Sequence, residues 1–487
     1  MPNISVIFVA VGAMLLVGAF SNKLSSRFNV PILLIFLLFG MFVGYGYTPE
    51  EWAFDVINVA GTIAMCFILF SGGLNTKFST IAPVLLPGGI LATVGVLLTS
   101  LFFAVGAFSI FYSKLSFAGC MLLGAMISST DAAAVFGILS GRSVGLKGKL
   151  RPLLELESGS NDPMAYFLTL LMIDVVLGKT ELGVASIMQL CYRMTGGIAM
   201  GLVVGMFGRL LYNTKLEYEG LYFVFDIAIV VLSYGLAEGI QANGMMACYI
   251  CGITMNHCGF HYQKGITRFS DGVSWLMQVI LFTTLGIFVD VCRLPDIAWR
   301  GCVLAGILLF IARPAAIFIS LVGQPLNWRE KLLISWVGLR GAAPIVLATF
   351  PLACGIKGAK LYFNLIFFMV LVSMLVQGTT MMYLAKLLKL DKPFAGKERL
   401  PLELESTPES SGHEMKEFTV PEDAPYAGKT VAELALPCGV LITLIRRGSK
   451  LVPPNGQTVI HPLDGLLIMG THENILKVQE EFFPEED

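Results

Sequence analysis

Apolar residues fill long, nearly uninterrupted stretches of the chain up to about residue 388, with polar residues in short groups between them. A membrane-spanning helix needs about 20 mostly apolar residues. On that measure the pattern predicts thirteen spans, at 4–21, 30–46, 55–74, 83–111, 116–140, 150–178, 186–213, 219–237, 240–257, 266–291, 297–323, 329–352 and 360–387. Arg193 gives the seventh an interfacial start. Beyond Leu388 the pattern changes. Residues 389–415 are rich in proline, serine and acids, the composition of a linker. Residues 416–487 alternate short β-rich runs, GVLITLIRR and GLLIMGT, with turn signals such as PPNG and HPLDG. That alternation predicts a small α+β domain. The chain therefore divides into a membrane domain over 1–388, a linker over 389–415 and a small domain over 416–487.

Composition agrees with lipid as the solvent. Of the 487 residues, 55% are hydrophobic and 14% charged, where a soluble domain carries about 25% charge. Mean hydropathy is +0.76. These figures exclude a soluble multidomain chain, a disordered chain, a collagen and a small disulfide scaffold. The net charge of −1 hides an asymmetry. Residues 1–388 hold 23 Lys+Arg against 17 Asp+Glu, and residues 389–487 hold 10 against 17. The basic excess is spread along loops, so no nucleic-acid stripe forms. Loops after odd-numbered spans carry thirteen basic residues and those after even-numbered spans six. Basic loops stay cytoplasmic, which places the N-terminus outside and the small domain inside. The first apolar run has no basic lead and no A-x-A cleavage site, so it reads as a retained span. The ten cysteines are scattered singly and do not form an oxidised framework. Cys248, Cys251, His257, Cys258 and His261 imitate zinc spacing, but the first two lie inside an apolar span; no metal site is read there. No phosphate-binding glycine motif is present, so direct ATP coupling is excluded and no cofactor is expected.

Charges inside spans are costly, about 2.5–3.5 kcal/mol each on insertion scales, and they mark function. Three clusters concentrate them. ISSTDAAAVFGI in span five places Thr130 and Asp131 mid-span. LLELESGSNDPMAYF in span six brings Glu155, Glu157, Ser158, Asn161 and Asp162 into two turns. Ser158 and Asp162 are four apart and share a face, while Pro163 removes a backbone donor. VGLRGAAPIVLA in span twelve carries Arg340, Gly341 and Pro344. A repeat offset of seven spans maps span five onto span twelve with inverted topology, and paired interruptions of this kind point to a transporter site at the midplane. Four half-helix ends then meet in the membrane. Asp131 can offset the positive ends and Arg340 the negative ones. Arg340 with Glu157 reads as a structural ion pair, since arginine stays charged and cannot relay protons. Asp162 is left without an arginine, among hydroxyl and amide groups suited to a small cation. Asp131 divides between a structural and a ligand role. Glu155 and Asp226 are possible residues of a cytoplasmic funnel, and Arg313-Pro314 in span eleven reads as a kink with a bundle-facing charge.

SSTDAAAVF, LELESGSNDPMAYFLT and GLRGAAPIVLA, in this order, resemble the NhaP-type branch of the monovalent cation:proton antiporters over about residues 5–388. Residues of about 415–480 resemble the TrkA-C (RCK-C) regulatory module. The resemblance implies an all-α, NhaA/NhaP-like membrane fold of about thirteen helices with inverted repeats and two broken helices, followed by the cytoplasmic α+β domain. It implies a homodimer in the inner membrane, with spans one to three and seven to ten as dimerisation domain. Spans four to six and eleven to thirteen would form a bundle that slides like an elevator. It makes Asp162 the carboxylate that alternately takes a cation and a proton, with Asn161 as its partner. Ser158 and Thr130 become oxygen ligands, Asp131 a water-mediated one, and Glu157 with Arg340 the pair that holds the broken helices. In ILFSGGL, Ser71 stands where relatives often carry an acid, which removes a charge near the funnel.

The expected activity is exchange of K⁺, with Na⁺ as an alternative at the same site, for H⁺. Burial raises a carboxyl pKa and a nearby cation lowers it, so one carboxylate can serve both ions in turn. With asparagine at 161, the resemblance implies electroneutral exchange. A small regulatory ligand of the C-terminal domain is a further expectation, as is a role in pH homeostasis. Two distant alternatives are an RCK-regulated channel, which lacks a filter motif such as TVGYG, and an intramembrane aspartyl protease built on Asp131 and Asp162. The latter lacks its G-x-G-D signature and gives Arg340 no role.

Overall fold

The computed structural model describes residues 5, 9, 12–16, 18, 32–46, 51–111, 115–140, 144–214, 218, 220–260, 262–393, 413–421, 424, 426–434, 436–448 and 450–482. The expected first span, 4–21, lies largely outside them, as do residues 394–412 of the expected linker. Two compact units result, Met1–Lys397 and Glu398–Asp487.

The first unit is helical. Its order is α1 (Ile32–Val43), α2 (Glu51–Asn75), α3 (Phe78–Phe111), α4 (Phe117–Ile127), α5 (Ala132–Ser140), β1 (Val144–Leu146) and α6 (Leu150–Val176). There follow α7 (Val184–Tyr212), α8 (Leu221–Gly239), α9 (Gly244–Cys258), α10 (Gln263–Phe288), α11 (Leu294–Ser320), α12 (Trp328–Trp336), α13 (Ala343–Ala353) and α14 (Ala359–Leu387). Among the described residues, seven helices are long and apolar enough to cross a membrane by themselves: α2, α3, α7, α8, α10, α11 and α14. The remainder are short, broken or, in α6, rich in polar residues. Each expected span from the second to the thirteenth coincides with a helix or a broken pair.

The helices pack in two groups. One holds α1, α2 and α7–α10, and the other holds α3–α6 and α11–α14. In the first group α7 turns Gly197, Gly201 and Gly205 toward α9, so closely that a Cβ on Gly201 would stand 2.6 Å from the Ala247 carbonyl. Small residues at four-residue spacing permit that approach where lipid offers no hydrophobic drive for association. In the second group α4 and α6 pack against each other and against α3 and α13, and α4 also packs against α14. After α14, β2 (Asp391–Pro393) pairs antiparallel with β1, tying the segment before α6 to the one after α14.

The second unit holds β3 (His413–Thr419), β4 (Leu441–Arg447), β5 (Lys450–Val452), β6 (Gly465–Thr471) and α15 (His472–Phe482). Its strands form an antiparallel sheet in the order β3-β6-β4-β5. Phe418, Ile445, Leu466, Ile468 and Val478 make its core. Asp464 is buried; its carboxylate accepts from the His461 N–H at 2.8 Å, which closes the turn before β6, and from Arg447 Nη2 of β4 at 2.8 Å.

Candidate ion-binding site

Two helices are interrupted where they meet. The first break, between α4 and α5, falls on Ser128–Asp131. These residues favour side-chain bonds to the backbone over helix continuation. Ser128 Oγ donates to the Ala125 carbonyl at 2.7 Å, closing α4. Asp131 Oδ1 accepts from the Ala134 N–H at 3.0 Å, capping α5. The second break, between α12 and α13, falls on residues 337–342, with Pro344 in the first turn of α13, a position that suits proline's fixed φ.

The breaks cross and hold each other. The Asp131 N–H donates to the Leu339 carbonyl at 2.8 Å. Arg340 Nη1 donates to the carbonyls of Ser128 at 2.6 Å and Ser129 at 2.8 Å. A fixed positive charge thus meets the negative end of α4. The Arg340 N–H donates to Ser373 Oγ at 3.1 Å, and Gln377 Nε2 donates to the Trp336 carbonyl at 2.7 Å, so α14 satisfies the open end of α12. Gly341 is required by the crossing: a Cβ there would lie 2.4 Å from the Asp131 carboxylate.

Helix α6 supplies the third side. Ser158 Oγ donates to the Thr130 carbonyl at 2.8 Å. Asn161 Nδ2 donates to Thr130 Oγ1 at 2.5 Å, and the Thr130 N–H reaches Asn161 Oδ1 at 3.4 Å. Ser129 Oγ donates to the Asp162 carboxylate. Ser129, Thr130, Asp131, Ser158 and Asp162 all line one cavity of about 690 Å³. Asn161 does not line it; its amide is buried and committed to Thr130. Glu155 and Ser71 line the same cavity, with Glu155 bonded to Arg151 at 2.9 Å. Oxygen ligands, one carboxylate held by a hydroxyl, and space for water are what a hard monovalent cation needs.

Two expectations are corrected. Glu157 was expected to pair with Arg340, but its ion pair is with Arg313, and both partners are 1% exposed. Arg340 spends its guanidinium on the end of α4 instead. Arg313 follows a π-helical turn of α11 at Leu308–Ala312 and begins the Arg-Pro step. Asp226, expected as a possible funnel residue, is away from the cavity. It lies on the buried stripe of α8 with Tyr222, Ile229, Val230 and Ser233, and accepts from Ser270 Oγ at 2.6 Å. Ser129 and Asp271 also line the cavity and were not singled out in the sequence. Ser129 was visible in the SSTD motif as a hydroxyl next to Thr130. Asp271, on α10, sat in no motif, and only packing brings it to Ser71.

Crossed half-helices over a carboxylate-bearing cavity define a secondary transporter of the alternating-access kind, and the sequence comparisons say which. Residues 11–387 match the sodium/hydrogen exchanger transmembrane family, and residues 415–482 match the TrkA-C domain. The chain belongs to the sodium/hydrogen exchanger family; it is a cation/proton antiporter and not an enzyme. A protein of Shewanella sp. (strain ANA-3) named K(+)/H(+) antiporter NhaP2 is 35% identical, over 96% of this chain and 82% of its own. The K(+)/H(+) antiporter NhaP of Alkalimonas amylolytica is 33% identical, over 93% of this chain and 79% of its own. The solved structure of the sodium proton antiporter MjNhaP1 from Methanocaldococcus jannaschii at pH 8 has the same fold. Its TM-score is 0.65 at 22% identity, covering 77% of this chain and all of that one.

Proposed function

We propose that this protein exchanges K⁺ for H⁺ across the cytoplasmic membrane, with cation and proton competing for Asp162. The observation that carries this reading is the placement of Asp162 in the cavity, bonded to a hydroxyl and to no cationic side chain among the described residues. Ser129, Ser158 and Thr130 supply neutral oxygens around it, and Asp131 a second carboxylate that also caps α5. The relatives' names favour K⁺. Na⁺ is the alternative at the same site, since such oxygens suit both ions.

The exchange cycle needs one rule: the bundle of α3–α6 and α11–α14 crosses when Asp162 holds a cation or a proton, and not when it is an empty anion. Occupancy then biases a two-state equilibrium. Asn161 is neutral and engaged with Thr130, so one carboxylate changes charge per cycle, which makes the exchange electroneutral. The bundle moves against α1, α2 and α7–α10, the group we assign to a homodimer interface. The N-terminus faces out, and the C-terminal domain lies in the cytoplasm, where it takes a small regulatory ligand and serves potassium and pH homeostasis.

Everted vesicles with an acidified interior test the substrate. K⁺ should restore the fluorescence of a pH dye at lower concentration than Na⁺ or Li⁺, with choline inert. A response to Na⁺ alone would replace K⁺ by Na⁺. Current that tracks transport in reconstituted bilayers would overturn the electroneutral stoichiometry.

A further inference from the structure

We infer that Asp271 is a second cation-attracting carboxylate of the transport pathway, fixed on the wall that does not move; the inference rests on the antiport reading above. Asp271 is half-buried in the third turn of α10 and lines the same cavity as Asp162. Its Oδ1 accepts from Ser71 Oγ at 2.9 Å and from Asn75 Nδ2 at 2.6 Å, both on the last turns of α2. Its Oδ2 has no partner among the described residues, and Asp271 makes no ion pair among them. Two neutral donors therefore orient the group and leave its charge uncompensated. Glu155, by contrast, already has Arg151 against it.

Position separates Asp271 from Asp162. Ser71 and Asn75 lie in the last turns of α2 and Asp271 in the third turn of α10, so the cluster joins the C-terminal end of α2 to the N-terminal half of α10 within the cavity lining. Asp162 stands where the two broken helices cross. Ser274 and Gln278 continue from Asp271 along one face of α10 and also line the cavity, with Gln278 Nε2 at 3.5 Å from Ser274 Oγ. Asp271, Ser274 and Gln278 thus form a polar stripe that α10 contributes to the cavity, while Asp162 is contributed by α6. A single-sign charge at the entrance of a low-dielectric cleft raises the local concentration of the opposite ion. Asp271 thus sets apparent affinity for the cation, while Asp162 performs the exchange.

The test compares wild type with Asp271→Asn and Asp271→Glu in proteoliposomes, using KCl and NaCl at fixed pH. For Asp271→Asn the apparent KM for the cation should rise about fivefold with the maximal rate within about twofold, and Asp271→Glu should restore the KM. The difference should shrink when choline chloride is raised from about 10 to about 300 mM, because screening removes a charge effect. A KM unchanged in Asp271→Asn, or a lower maximal rate at unchanged KM, would overturn the inference and leave Asp271 as a staple between α2 and α10. Thermal melting in detergent gives a reading independent of turnover: Asp271→Asn should need about fivefold more KCl than wild type for the same stabilisation. A wild type that exchanges beside an unaltered variant sinks this inference alone. A wild type that neither exchanges nor gains stability from any cation sinks the antiport reading with it.

Discussion

A guanidinium inside a membrane domain has to be matched by carboxylate or carbonyl oxygens. Arg340 and Arg313 are both buried and are matched in these two ways. Arg340 binds carbonyls at the end of α4, and Arg313 binds Glu157. Removing one partner of a buried pair leaves a bare charge and costs about 3–5 kcal/mol, whereas replacing both by apolar residues of similar size is often neutral. Glu157→Gln and Arg313→Met are therefore each expected to lower the melting temperature and the folded yield. The double variant Glu157→Leu/Arg313→Met is expected to recover most of the loss, read by fluorescence-detected size exclusion after heating. A double variant as unstable as the sum of the singles would show the pair is not isolated. The sequence made Glu157, Arg340 and Asp162 visible because each is a charge in an apolar run. It did not reveal which arginine meets Glu157. Both arginines lie in apolar spans, and only packing decides which of them faces Glu157. Asp271 was hidden for a similar reason, being one acid near a polar helix start.

At the scale of elements, the breaks are the working parts, and they were legible because small polar residues in span five, and Arg340, Gly341 and Pro344 in span twelve, interrupt apolar spans. The contact between the two helix groups was not. Gly159, between Ser158 and Asp162 on α6, sits against the ring of Tyr249 on α9; a Cβ there would come within 2.3 Å of the ring. A ring packed in a core does not yield by that distance without repacking. Gly159→Ala is expected to reduce the maximal exchange rate at least about tenfold with little change in folded yield, since the added methyl would obstruct the interface that the proposed bundle motion carries α6 across. Gly159→Ala/Tyr249→Ala is expected to regain much of the rate. A fully active Gly159→Ala would mean that α6 does not pass Tyr249 at close range during the cycle.

At the scale of the molecule, two units divide the labour. The membrane unit contains every residue of the cavity. The sheet unit has its own core and its own closed salt bridge, Arg447 with Asp464. Ending the chain after about residue 400 is expected to leave exchange in place and to shift its dependence on pH or cation concentration, as measured in everted vesicles. Loss of the folded membrane unit on truncation would make the sheet unit structural instead. The two-part organisation was legible from composition, because a lipid-embedded segment and a water-exposed one cannot share a residue alphabet. The pairing of β1 with β2 was not, since three-residue strands leave no period to read.

The central claim is that one carboxylate, Asp162, serves cation and proton in turn. The most direct measurement reconstitutes wild type and Asp162→Asn in proteoliposomes with an acidic lumen and follows an internal pH dye as K⁺ is added outside. Asn keeps the volume and a hydrogen bond to Ser129 but can neither hold a proton nor neutralise a cation. Wild type should alkalinise the lumen in a saturable way, and Asp162→Asn should give no response at any pH from about 6 to about 9, on either side of the pH at which exchange is required. A variant that exchanges as fast as wild type would contradict the claim and move the exchanging group to Asp131.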